Sequence, residues 1–151
     1  MEAGRRGHRV VALDSSPTAI ARIESAAKHE GLPIETHVGD IVSWRVDRRY
    51  ESIVSIGLLM FFHRDRAQDL LDLIQQHVEP GGRAIINVLI EGTTYTDMLE
   101  PGRHSLFGRN ELAERFATWS VVEVAFESFD AAGGTRKEFC TIIAAKNVGG
   151  H

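Results

Sequence analysis

Apolar positions along this chain alternate between short uniform runs and longer stretches with a helical period. His8–Leu13 (HRVVAL) is a β-branched apolar run that stops at Asp14, the pattern of a strand buried on both faces of a parallel sheet. Asp14-Ser15-Ser16-Pro17 then carries helix-start chemistry, with side-chain oxygens able to cap free N–H groups and a proline in the first turn. Ala19, Ile20, Ile23, Ala26 and Ala27 follow at helical spacing, and Gly31 closes a helix over Pro17–Glu30. Ile34–Val38 is a second short strand, Ile41–Arg49 a loop with Trp44 as its large apolar group, and Tyr50–Ile56 a third strand. Arg64–Val78 places Ala67, Leu70, Leu71, Ile74 and Val78 on one face of a helix, which Pro80-Gly81-Gly82 breaks. Arg83–Ile90 (RAIINVLI) is another buried strand. Glu91–Leu106 has no steady period and reads as a loop, and Asn110–Phe116 as a short helix. Val121–Phe129 and Lys137–Lys146 are strands joined by a glycine-rich hairpin loop, hence antiparallel.

This alternation of strand and helix, closed by a hairpin, predicts an α/β fold with a mostly parallel sheet and one antiparallel pair at its C-terminal end. The 151 residues suit one domain, and 43% hydrophobic with 25% charged residues is an ordinary globular balance. A net charge of −4 gives no reason to expect a nucleic-acid partner. No apolar run approaches the roughly 20 residues that span a bilayer, and the first residues lead into no signal-peptide core. The expectation is a soluble, cytoplasmic, single-domain protein with no membrane partner. Cys140, the single cysteine, excludes an internal disulfide framework.

Ligands of open α/β sheets bind beyond the carboxyl ends of the strands, and two acidic residues stand there. Asp14 follows HRVVAL and Asp40 follows IETHVG. A carboxylate at the first position can accept both ribose hydroxyl protons. One at the second, beside a free backbone N–H, can read an adenine edge. Asp14 reads equally as a helix N-cap, and Asp40 taken alone as a turn residue. Two such acids one βα unit apart point to a nucleoside ligand.

With these residues in place, the chain resembles class I S-adenosylmethionine-dependent methyltransferases, in the order HRVVALD, Gly39-Asp40, YESIVSIGLLMFF and VEPGGRAIINVLI. The LLMFF tract and FGRNELAERFATWSVVEV are similar to the tellurite-resistance (TehB-like) branch of that family. The resemblance implies a Rossmann-like methyltransferase sheet with S-adenosylmethionine as cosubstrate. It implies that Asp14 holds the ribose with Ser15 beside it, that Asp40 and Ile41 contact the adenine, and that Ile56 and Gly57 line the floor near the methionine. Leu59, Met60 and Phe61 then form a wall by the transferable methyl group, although each also reads as ordinary core. The His-Arg pair that the branch leads one to expect in the last hairpin is missing.

The family's opening strand, Gly-rich turn and helix are also missing: Ala3–Gly7 reads as the turn between that helix and the second family strand. In the family sheet the first strand lies centrally, so its loss implies two unpaired apolar edges. The expectation is therefore a homo-oligomer that closes the gap. Two functions follow. One is methyl transfer to a small-molecule acceptor, and the alternative is an inactive methyltransferase-like fragment acting through self-association or partner binding. A nucleotide-binding oxidoreductase fits less well, since the dinucleotide glycine turn is absent too.

Weaker candidates remain. Glu91, Tyr95 and His104 fall in or near a loop that would cover such a site and could touch the acceptor, or simply be solvated. Arg136 and Lys137 follow the hairpin turn and could draw in an anionic substrate. The histidines, including His151, show no i, i+4 pair and imply no metal site. Cys140 sits in an apolar strand and reads as core.

Overall fold

The computed structural model describes residues 1–149. The chain, read from its sequence as one domain, divides into two compact units, Met1–Asp47 and the residues from Arg48 onward. Each unit has its own sheet.

The first unit runs α1 (Glu2–Arg5), β1 (Val10–Asp14), α2 (Pro17–Glu30) and β2 (Ile34–Val38). Strands β1 and β2 are parallel, with Val10 opposite Ile34 and Asp14 opposite Val38. Helix α2 has the predicted bounds because its ends are chemically marked. Ser16 Oγ accepts a hydrogen bond from the Ala19 N–H at 3.2 Å, Pro17 fills the first turn, and Gly31 takes the left-handed conformation at φ 65°. Ile20 and Ala27 carry its buried face. β1 is half-buried and not sealed on both faces as its apolar run suggested. Within this unit it has one hydrogen-bonded neighbour, β2, and one packed helix, α2.

The second unit holds β3 (Tyr50–Ile56), α3 (Arg64–His77), β4 (Val78–Leu89), α4 (Glu111–Arg115), β5 (Ser120–Asp130) and β6 (Arg136–Ala145). The strand order is β3-β4-β6-β5. β3 and β4 are parallel, while β6 runs antiparallel to both β4 and β5. Three of the four strands therefore share a direction and the hairpin supplies the reversed one, as the sequence predicts, but β6 inserts between β4 and β5 and so makes two antiparallel pairings where one was expected. β5, the first strand of the hairpin, lies outermost.

One boundary differs from the periodicity. α3 stops at His77, and Val78 already opens β4, pairing with Tyr50. Pro80-Gly81-Gly82 is thus an irregularity inside a long strand and not the connector after a helix. Val78 is β-branched and extended, and Pro80 biases the residue before it away from helix. Gly82 is required there: a Cβ would lie 2.5 Å from the Glu51 carbonyl oxygen.

Period-2 alternation gives the four-stranded sheet two unlike faces. On one, Ala84, Ile86, Val88, Cys140, Ile142 and Ala144 are buried where α3 packs on β4 and α4 on β6. Phe107, Phe116, Leu71 and Leu112 complete that core. On the other face Val54 and Ile56 are 60% and 59% exposed. Among the described residues no helix is long and apolar enough to cross a membrane.

Candidate functional site

The first unit brings Asp14, Ser15, Asp40 and Ile41 to one end of its sheet. β1 and β2 are parallel and in register, so both chains leave the sheet together, and the Gly39 N–H donates to the Asp14 carbonyl at 3.0 Å. The side chain of Asp14 is exposed. Its Oδ1 accepts the Ser16 N–H at 2.8 Å, while capping of α2 falls to Ser16. The N-cap reading of Asp14 is thereby replaced: the carboxylate is anchored to backbone through one oxygen, and the other has no partner among the described residues. Ser15 is exposed beside it.

Asp40 does build a turn. Its Oδ1 accepts the Val42 N–H at 2.9 Å, and its carbonyl accepts the N–H groups of Ser43 and Trp44. The Ile41 N–H makes no hydrogen bond among the described residues, which leaves a donor next to the Asp40 carboxylate. Trp44, the large apolar group of this loop, lies against the His37 ring with centroids 4.7 Å apart. It also passes so close to Gly39 that an added Cβ would sit 3.2 Å from the indole.

In the second unit, β3 ends at Ile56, and Gly57 turns the chain at φ 61°, a conformation that suits glycine. The Gly57 N–H donates to the Asn87 carbonyl at 3.1 Å. The following tract forms a 3-10 turn over Leu59–Phe61. Leu59 and Met60 are buried at 1% and 2% exposure, and Met60 packs in a core cluster with Leu89 and Leu99. Their side chains thus take the core reading. Phe61, 46% exposed, is the residue of that turn with an accessible ring. Ser105 fixes the turn from the long loop, donating its N–H to the Met60 carbonyl and its hydroxyl to that of Phe62.

Tyr95 and Arg136 meet. The N–H groups of Thr94 and Tyr95 both donate to the Arg136 carbonyl, and the Arg136 N–H donates to Thr94 Oγ1 at 2.9 Å. Thr93 pins the same loop, since its hydroxyl exchanges hydrogen bonds with the Glu138 backbone. The loop after β4 is therefore anchored to β6 and not simply solvated. Glu91 remains exposed, and His104 Nδ1 lies 2.8 Å from the Glu100 carbonyl oxygen. His151 lies outside the described residues.

Sequence reasoning missed a groove on the open face of the sheet. Ile56, Asn87, Glu127, Phe129, Phe139 and Thr141 line a cavity of about 320 Å³. A single polar residue inside RAIINVLI, Asn87, was the available signal. Asn87 Nδ2 donates to Thr141 Oγ1 at 2.9 Å, and the Phe129 and Phe139 rings meet edge to face at 5.8 Å.

Two titration shifts concern the scaffold and not these sites. Burial pushes the Cys140 thiol pKa up, which suits core and not a nucleophile. Burial lowers the Lys146 pKa, while its ammonium donates to the carbonyls of Gln75 and Val78 at the end of α3.

The order of elements and the strand-end acids now meet a direct comparison: the family described as tellurite resistance protein TehB matches residues 3–132. The chain belongs to that family. A probable S-adenosyl-L-methionine-dependent methyltransferase TehB of Haemophilus influenzae (strain 10810) is 28% identical over 93% of this chain and 50% of its own length. The crystal structure of TehB from Haemophilus influenzae superposes with a TM-score of 0.79 at 24% identity, covering 95% of this chain and 52% of that one. The N-methyltransferase NodS from Bradyrhizobium japonicum WM9, in complex with S-adenosyl-L-homocysteine, has a TM-score of 0.71 at 16% identity, over 91% of this chain and 66% of its own. These likenesses place the chain in the Rossmann-like methyltransferase fold. The chain spans about half the length of the curated relatives it matches.

Proposed function

We propose that this TehB-family chain serves an S-adenosylmethionine-dependent methyltransferase that acts on a small-molecule acceptor in the cytoplasm. The observation that carries the reading is Asp14. Its carboxylate is tied to backbone at the carboxyl end of β1, and its second oxygen has no partner among the described residues and can accept from a ribose hydroxyl. The neighbouring pair, the Asp40 carboxylate and the unbonded Ile41 N–H, offers the acceptor and donor that an adenine edge requires. These groups fit a nucleoside cosubstrate.

In this reading Asp14 and Ser15 hold the ribose, and Asp40 and Ile41 the adenine. Ile56 and Gly57 are assigned to the methionine moiety by the family resemblance; within its own unit Gly57 turns the chain at φ 61° after β3. Leu59 and Met60 act from the core to hold the turn that presents Phe61. Tyr95 and Arg136, joined through the anchored loop, are assigned to the acceptor. The cosubstrate supplies an activated methyl group, so the protein's task is alignment of donor and acceptor, which can be a large share of catalysis.

Calorimetric titration with S-adenosylhomocysteine tests this. Micromolar binding, about −8 kcal/mol, is expected, and Asp14→Ala should lose about 1–3 kcal/mol of it. Unchanged affinity in Asp14→Ala would remove the ribose assignment. No heat at all would favour the alternative, a non-catalytic module. β1 and β3 are each paired on one edge only among the described residues, which supports self-association. A monomer by light scattering would overturn that part.

A further inference from the structure

We infer that Ser105 is a positioning residue for the cosubstrate site: its N–H and its hydroxyl fix the backbone on both sides of Phe61 and so aim the Phe61 ring. The inference rests on the proposed S-adenosylmethionine site, in which Phe61 stands by the transferable methyl group.

The turn Leu59–Phe61 holds itself weakly. It is a short 3-10 segment, whose hydrogen bonds are poorer than those of an α-helix. The Phe61 N–H donates to the Leu58 carbonyl at 3.1 Å and the Phe62 N–H to the Leu59 carbonyl at 3.2 Å. Burial of Leu59 and Met60 secures the start of the turn. Ser105 secures its end. Its N–H donates to the Met60 carbonyl at 3.0 Å, and its hydroxyl donates to the Phe62 carbonyl at 2.8 Å. With the Phe62 N–H taken up by Leu59, the three successive peptide planes from Met60 to His63 are each tied, which fixes φ and ψ at Phe61 and Phe62. Backbone dihedrals decide which rotamers a side chain can adopt, so Ser105 sets the Phe61 ring through the backbone.

Ser105 can act as a fixed point because it is itself held. It is 4% exposed, and the residues after it are clamped. The Phe107 N–H donates to the Leu89 carbonyl at 3.0 Å, and the Phe107 carbonyl accepts the Glu91 N–H at 2.9 Å. The Arg64 guanidinium donates to the Leu106 carbonyl at 3.3 Å and pairs with the Glu111 carboxylate at 2.6 Å. Glu111 also accepts from the Gln68 amide and the Gly108 N–H, both at 2.8 Å. None of these attachments uses the Ser105 hydroxyl. Alanine at this position would leave the loop fastened and release the Phe62 carbonyl, so the hydroxyl serves the turn and not the loop that carries it.

Amide hydrogen exchange and calorimetric titration with S-adenosylhomocysteine, both on the full chain, test this. In Ser105→Ala the amides of Phe61 and Phe62 should exchange about fivefold faster, the worth of one hydrogen bond, while the amides of β4 and β6 keep their rates. S-adenosylhomocysteine affinity should fall by about the same factor. In a Phe61→Ala background the serine substitution should cost no further affinity, because the ring it aims is gone. Faster exchange in the turn and the sheet alike would reduce Ser105 to a structural role and overturn the inference. Unchanged affinity, or an equal loss with and without the Phe61 ring, would overturn it as well. A parent chain that binds no S-adenosylhomocysteine is a different failure, since it refutes the proposed cosubstrate site itself.

Discussion

The two faces of the four-stranded sheet are built from the same strands and differ in almost everything else. Every inward position between Ala84 and Val88 on β4 and between Cys140 and Ala144 on β6 is small or aliphatic and buried. The alternate positions on those strands include Asn87, Phe139 and Thr141, which are only partly buried and line a cavity. A covered face is selected for volume and apolarity, because each buried methylene stabilises and each unpaired polar atom costs. A face free of that constraint can carry charge, amide and aromatic rings side by side. The comparison teaches that the same strands can be held to one rule on one face and released from it on the other.

The largest test of the contrast is a matched pair of truncations. Ile86→Ala, on the covered face, should cost about 2–5 kcal/mol in denaturant unfolding. Ile56→Ala, on the open face of the neighbouring strand, should stay within about 0.5 kcal/mol. Equal losses would mean that the open face is covered in solution. Next in size is Ser55, which is buried in β3 with no partner for its hydroxyl among the described residues. Ser55→Ala should raise stability by about 1 kcal/mol, since it removes an unsatisfied oxygen from the covered side. A loss of stability instead would mean that this hydroxyl is bonded in solution.

The smallest effect concerns pH. Burial raises the Cys140 thiol pKa above its unfolded value, so the fold keeps a proton that the unfolded chain releases. Stability should therefore fall as pH rises above the ordinary thiol value of about 8.5. Denaturant midpoints measured between about pH 7.5 and 10 should fall less steeply in Cys140→Ala than in the parent. Identical slopes would show that the thiol is not desolvated as the covered face requires.

Local chemistry made much of this fold legible. The bounds of α2 follow from a proline, a serine and a glycine, and β2 and β3 follow from apolar runs whose ends coincide with polar residues. The cap of α2 was harder, because Asp14 and Ser16 both offer an oxygen at workable spacing. Only the backbone path assigns Ser16 to the helix and frees one oxygen of Asp14. The start of β4 was misjudged because Pro80-Gly81-Gly82 looks like a break, yet a strand paired to β3 can absorb it as an irregularity. Leu59, Met60 and Phe61 are nearly equivalent in hydrophobicity, and one turn of backbone separates the buried from the exposed among them.

By itself, then, the sequence determined the element types, the class of fold, the family and the pair of strand-end acids, because period, capping and turn chemistry act over a few residues. Tertiary structure alone decided which carboxylate oxygen is free, which of three neighbouring apolar side chains faces solvent, and that Ile56, Asn87, Glu127, Phe129, Phe139 and Thr141 share one groove. Those residues span more than eighty positions of chain, and strand register across β3, β4, β6 and β5 is what brings them together. Register depends on long-range hydrogen bonds and on which face each strand must bury, and no local pattern encodes it.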